Sequence, residues 1–169
     1  DAEAAVQAGA KYLVSPGTPD ALAQALAGAP VPVLPGCATA SEAMALFARG
    51  FTTLKFFPAE ASGGIAWLKS VAAPLPHLRF CPTGGIDGKN AAAYLALPNV
   101  VAVGGSWVAP KDKLAAGDYA GAVDAIDAMA SRAFGRASGA VHSEGNTVRL
   151  LLDARENFPA WLDAIRRAE

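Results

Sequence analysis

Lys55 stands alone among apolar neighbours. It lies in Thr52–Glu60 (TTLKFFPAE), between Leu54 and the pair Phe56-Phe57, with Pro58 closing the run. β-branched and aromatic residues favour a strand here, and the proline favours its end. A charged ammonium inside a buried strand is costly unless the protein uses it. Desolvation favours the neutral form of an amine. A neutral lysine amine in an apolar pocket is the nucleophile that Schiff-base chemistry on a carbonyl requires. The competing reading is an edge-strand lysine that carries its head out to water.

Two glycine-rich turns supply a second kind of chemistry. Gly84-Gly85 follows the apolar run Leu78–Cys81, and Gly104-Gly105-Ser106 follows Val100–Val103. Glycine lets a backbone turn tightly and aim several N–H groups at one anion. Gly84, Gly85, Gly105 and Ser106 are therefore candidate phosphate ligands. The plainer alternative is two tight turns that bind nothing. Thr83 stands at the mouth of the same strand, where its hydroxyl could bond a substrate oxygen or simply its own backbone. Phe57, two residues beyond Lys55, points the same way along a strand. Ser15, at the corresponding end of the first strand-like run, is a further substrate-binding candidate, and Glu60 stays open as a loop acid that could bond backbone.

The elements that must hold these groups repeat. Lys11–Ser15, Val31–Leu34, Thr52–Phe57, Leu78–Cys81 and Val100–Val103 are short apolar runs, roughly 20–27 residues apart, each ending in Pro or Gly. Helix signals lie between them. Thr18-Pro19-Asp20 predicts an N-cap with a helix stopping at Gly28, and Thr39–Glu42 has capping-box spacing with Gly50 as the stop. Gly63–Ala73 is a third helix, Asp87 caps a fourth running to Leu97, and Tyr119–Phe134 is a fifth. Apolar strands alternating with helices mean a parallel sheet covered by helices. Glycine turns after the last two strands favour a (β/α)8 TIM barrel over an open doubly wound sheet, which places its glycine-rich turn after the first strand. The reading is an incomplete α/β barrel over residues 1–134. About five βα units are present, and the N-terminal three, on the order of 60–80 residues, are missing. Residues 135–169 form an extension, in which Gly135–Gly145 reads as linker, Thr147–Leu152 as a strand and Phe158–Arg167 as an amphipathic helix.

Composition narrows the classes. Of 169 residues, 53% are hydrophobic and 17% charged, with net charge −1 and no basic block, which argues for a globular chain and against a nucleic-acid partner. No apolar run reaches membrane-span length. His77 and His142 have no partner at ligand spacing, so neither a metal site nor any cofactor is expected. Cys37 and Cys81 fit a reduced cytoplasmic protein.

The motifs LKFFPAE (Leu54–Glu60), RFCPTGGI (Arg79–Ile86), VGGSW (Val103–Trp107) and VSPG (Val14–Gly17) resemble the 2-keto-3-deoxy-6-phosphogluconate (KDPG) aldolase and 4-hydroxy-2-oxoglutarate aldolase family, from Asp1 to about Phe134. The resemblance implies a class I aldolase of the Entner–Doudoroff route, a metal-free cytoplasmic homotrimer acting on a phosphorylated keto-acid. Lys55 would be its Schiff-base lysine, with Phe57 and Thr83 bounding the pyruvate half. Gly84, Gly85, Gly105 and Ser106 would hold the phosphate. The family's acid/base glutamate, and an arginine and a threonine for the pyruvate carboxylate, belong to early strands with no counterpart here. The chain alone is therefore expected to be weak or inactive. The alternative is a non-catalytic barrel remnant that binds a phospho-ligand.

Overall fold

The computed structural model describes residues 2–106, 115–117, 141–144 and 147–150, the last two segments through their backbone alone. Along the chain run α1 (Ala2–Gln7), β1 (Leu13–Val14), α2 (Asp20–Ala27), β2 (Val33–Leu34), β3 (Gly36–Cys37), α3 (Ala40–Ala48) and β4 (Thr53–Phe56). A 3-10 turn, Glu60–Ser62, precedes α4 (Gly64–Ala72), β5 (Arg79–Pro82) and α5 (Ala91–Leu95). The expected helices Tyr119–Phe134 and Phe158–Arg167 lie outside the described residues.

The described strands from β1 to β5 are parallel and sit in sequence order. β1 pairs β2, β3 pairs β4 and β4 pairs β5, while Pro35 alone separates β2 from β3. The fifth expected strand runs beside β5 as well. It makes the parallel bridges Phe80↔Val100 and Thr83↔Gly104, with Val101 N–H donating to the Phe80 carbonyl at 3.0 Å and Gly104 N–H to that of Pro82 at 2.9 Å. The offset grows from 20 to 21 residues between those bridges, so one extra residue is absorbed before the Gly104-Gly105 turn.

Strand alternation assigns β4 two faces. Leu54 and Phe56 are wholly buried, as is Phe80 of β5, and they pack on α4. The Phe56 ring stacks on Trp67 with centroids 4.2 Å apart, and Phe80 meets the same indole edge-on at 5.4 Å. Leu68, Leu78 and Tyr94 complete this side. Thr53 and Lys55 point to the opposite face.

Capping was legible at one helix and not at another. Thr39 and Glu42 form the expected reciprocal box at α3, and Glu42 also accepts from the Ala38 N–H. Gly50, at φ +93°, closes that helix, with Phe51 N–H reaching the Leu46 carbonyl. Thr18 does not cap α2. Its hydroxyl donates to the Gly36 carbonyl at 2.9 Å and meets the Ser15 hydroxyl, so a long-range contact from this loop to β3 outcompetes the local cap. Asp87 does accept from the N–H groups of Lys89 and Asn90, though α5 itself begins only at Ala91.

The linker reading of Gly135–Gly145 needs correction at its end. Val141–Glu144 is a strand, β6, paired antiparallel with β7 (Thr147–Leu150). Two residues, Gly145 and Asn146, separate the paired Glu144 and Thr147. Gly-Asn between two short runs is a hairpin signal, here concealed by a glycine- and serine-rich surrounding.

Candidate active site

Lys55 is the centre of the face of β4 that turns away from α4. Its register partners are Gly36 on one side and Cys81 on the other, two small residues that leave room beside the long amine. The side chain is half-buried, not enclosed in a fully apolar pocket as the sequence suggested. Its Nζ lies 4.9 Å from the centroid of the Phe57 ring, at cation–π distance. Among the described residues, the ion pair is Arg49–Asp20, so no carboxylate there pairs with Lys55. The edge-strand reading fails as well, because β4 has a strand on each side.

Phe57 connects the amine to the first glycine turn. Its ring edge would stand 3.2 Å from a Cβ placed on Gly84. Gly84 and Gly85 have φ of +98° and +76°, values that side-chain-bearing residues rarely adopt. A Cβ on Gly85 would also meet the Glu60 side chain at 2.6 Å. Both glycines are thus demanded by local sterics alone. The binding reading rests on something else. Among the described residues, the N–H groups of Gly84 and Gly85 donate to no acceptor of the protein, whereas the Gly84 carbonyl accepts from Glu60 N–H at 3.1 Å and the Gly85 carbonyl from the Asn90 amide at 3.0 Å. Donors without a partner at a strand's C-terminal end suit an anion.

Thr83 sits between the two turns. Its hydroxyl makes one long bond, 3.4 Å, to the Cys81 carbonyl, and a Cβ on Gly104 would press on that hydroxyl at 2.6 Å. Gly105 is half-exposed and Ser106 exposed, next to the bridge that Thr83 makes with Gly104. Lys55, Phe57, Thr83, Gly84, Gly85, Gly105 and Ser106 therefore gather at the C-terminal ends of three neighbouring strands. Ser15 stands apart, two strand spacings or about 10 Å from β4. It is buried, and its hydroxyl is committed to Thr18 and to the Gly36 N–H.

Two residues belong in this picture that the sequence reading passed over. Cys81 faces the same side as Lys55. Burial pushes its thiol up, while the Thr83 side chain and the Lys55 charge pull it back down. It stands two residues before Thr83, and strand alternation was the available signal. Tyr94 is buried in the core, and its hydroxyl donates to Glu60 Oε1. No spacing in the sequence joins those two residues, which are 34 positions apart.

The likeness to known proteins follows this geometry. Residues 1–126 match the family model described as KDPG and KHG aldolase. The 2-dehydro-3-deoxy-phosphogluconate aldolase of Pseudomonas aeruginosa is 50% identical over 117 residues, which are 69% of this chain and 53% of that protein. The KHG/KDPG aldolase of Escherichia coli K12 is 47% identical over 113 residues, 67% of this chain and 53% of its own length. In structure, the chain resembles the KDPG aldolase of Legionella pneumophila with pyruvate captured as a covalent carbinolamine intermediate. That match has TM-score 0.71 and 41% identity, over 73% of this chain and 60% of that one. It also resembles the Zymomonas mobilis enzyme with 3-phosphoglycerate, at TM-score 0.66 and 38% identity, over 79% and 60%. The chain spans about half the length of the curated relatives it matches. With a family model covering residues 1–126, and relatives 50% and 47% identical over the 117 and 113 residues aligned, the chain belongs to the KDPG and KHG aldolase family.

Proposed function

We propose that this chain carries the lysine and phosphate half of a Schiff-base aldolase, built on part of a (β/α)8 barrel. The observation that supports it most is Lys55 near the C-terminal end of β4, joined through the Phe57 ring to a turn whose N–H donors find no acceptor among the described residues. Sequential parallel strands with their glycine turns at one end support the barrel.

The reaction runs on 2-dehydro-3-deoxy-6-phosphogluconate. The Lys55 amine adds to the C2 keto carbon, giving a carbinolamine, and loss of water gives an iminium. The electron pair of the C3–C4 bond moves into that iminium as the C4 hydroxyl loses its proton. Glyceraldehyde 3-phosphate leaves and an enamine remains. Protonation at C3 and hydrolysis release pyruvate and restore the amine. Phe57 and Thr83 bound the pyruvate half, while Gly84, Gly85, Gly105 and Ser106 hold the phosphate. Ser15 contributes from outside this cluster, by fixing the Gly36 backbone beside Lys55. The carbinolamine and 3-phosphoglycerate of the two structural relatives fit these two halves. By family likeness the active form is a cytoplasmic homotrimer.

The protons of this cycle need a general acid/base, and Glu60, the carboxylate nearest the strand ends, is engaged by Tyr94. Such help is typically worth about 10²–10⁴-fold. The 169-residue chain should therefore cleave its substrate slowly or not at all while still forming the pyruvate imine. A coupled assay for released pyruvate tests this. Turnover at the rate of the whole family enzymes would contradict this expectation. Phosphosugar binding with no imine at any lysine favours the non-catalytic remnant instead.

A further inference from the structure

Glu60 lies directly against the glycine turn and is itself held from the core. Its N–H donates to the Gly84 carbonyl at 3.1 Å, and its Cβ and Cγ occupy the space beside Gly85. The preceding residue, Ala59, donates to the Thr83 carbonyl at 2.8 Å and accepts from Gly64 N–H at 2.9 Å. The Glu60 carboxylate then takes the hydroxyl of Tyr94, a side chain with no exposed surface, on α5. Gly64, at φ +53°, leaves the gap through which that hydroxyl passes, since a Cβ there would stand 2.9 Å from it. A carboxylate joined to a core phenol this way has little freedom to swing. The turn it supports carries the donors that, among the described residues, find no acceptor.

We propose that the Tyr94–Glu60 pair is a positioning device for the Gly84–Gly85 turn, setting its N–H groups toward an anion without touching that anion. The inference rests on the phosphate reading of this turn given above. Burial first, then the hydrogen bond to Glu60 and last the Glu60 charge, hold the Tyr94 phenol above its ordinary range, which keeps it a donor at working pH. Removing its hydroxyl leaves the ring, and therefore the packing, in place. What is lost is the anchor of Glu60.

The test compares the 169-residue protein with Tyr94→Phe, Glu60→Ala and Glu60→Gln. Inorganic phosphate is titrated while amide shifts of Gly84 and Gly85 are followed. Pyruvate trapping by borohydride and hydrogen exchange of the Ala59 and Glu60 amides are measured alongside. Tyr94→Phe and Glu60→Ala should weaken phosphate by about tenfold, the effect of losing a charge-assisted hydrogen bond. Exchange of the bonded Ala59 and Glu60 amides, which donate to the Thr83 and Gly84 carbonyls, should quicken in both, with β4 unchanged. Glu60→Gln keeps an acceptor for the phenol and should stay within about twofold of the parent. Pyruvate trapping should hold in all three. Unchanged phosphate affinity and exchange in Tyr94→Phe would overturn the proposal. So would a parallel loss of phosphate, pyruvate and thermal midpoint, which marks plain core packing. If phosphate leaves the parent's Gly84 and Gly85 amides unmoved, the phosphate reading itself fails. The exchange rates then still decide whether the pair holds the turn.

Discussion

The two faces of β4 are built from the same four residues and do opposite things. On one face Leu54 and Phe56 have no exposed surface, and the Phe56 ring is stacked on Trp67. On the other, Lys55 stands half-buried between a glycine and a cysteine. The first face is closed by volume, the second left open by small neighbours. The contrast teaches that the lysine's position is fixed from behind. Its own face supplies room and chemistry, while the aromatic stack on the helix side supplies rigidity. A lysine on a strand without that backing would wander with its backbone.

The largest expected effect comes from the closed face. Phe56→Ala removes the ring on which Trp67 rests and should destabilise the protein by about 3–5 kcal/mol, read from urea unfolding. If instead the loss is under about 1 kcal/mol, the aromatic stack is not what holds β4.

A second probe separates the faces by pH, because each carries one cysteine region. Cys37, on the strand beside β4, is buried, and burial first and Glu42 second push its thiol from 9.0 up to about 12. A group whose pKa is raised by folding holds its proton more tightly in the folded state. Its contribution to stability is complete below about pH 9 and is lost as pH climbs toward about 12, at most about 4 kcal/mol in all. Unfolding midpoints taken across this window should fall less steeply in Cys37→Ala than in the parent. Equal slopes would show that Cys37 does not carry the effect.

The open face should respond more gently. Gly85→Ala places a Cβ at φ +76°, 2.6 Å from the Glu60 side chain. We expect a cost of about 2 kcal/mol from the left-handed backbone and the displaced Glu60. Phosphate affinity should drop while pyruvate trapping survives. If both ligands are lost together, the turn and the lysine are not the separate halves proposed here.

Much of this arrangement could be read before any coordinates. Strand alternation places Phe57 with Lys55, and Pro or Gly after each apolar run marks where the strands end. The Thr39–Glu42 box is local and was legible for that reason. What escaped depends on contacts between distant segments. Thr18 reads as a cap, yet bonds Gly36 across 18 positions. Glu60 reads as a loop acid that could bond backbone, yet its carboxylate takes the Tyr94 hydroxyl from α5. The degree of enclosure around Lys55 also escaped, because it is set by Gly36 and Cys81 on neighbouring strands and not by Leu54 and Phe56 beside it in sequence.

The central claim is that the amine of Lys55 is the nucleophile. Incubation with pyruvate and borohydride, followed by peptide mapping, tests it most directly. One reduced pyruvate adduct should be found on the peptide bearing Lys55, and Lys55→Met should abolish it while leaving the unfolding midpoint nearly unchanged. An adduct spread over Lys11, Lys69 and Lys89, or one that persists in Lys55→Met, would contradict the account.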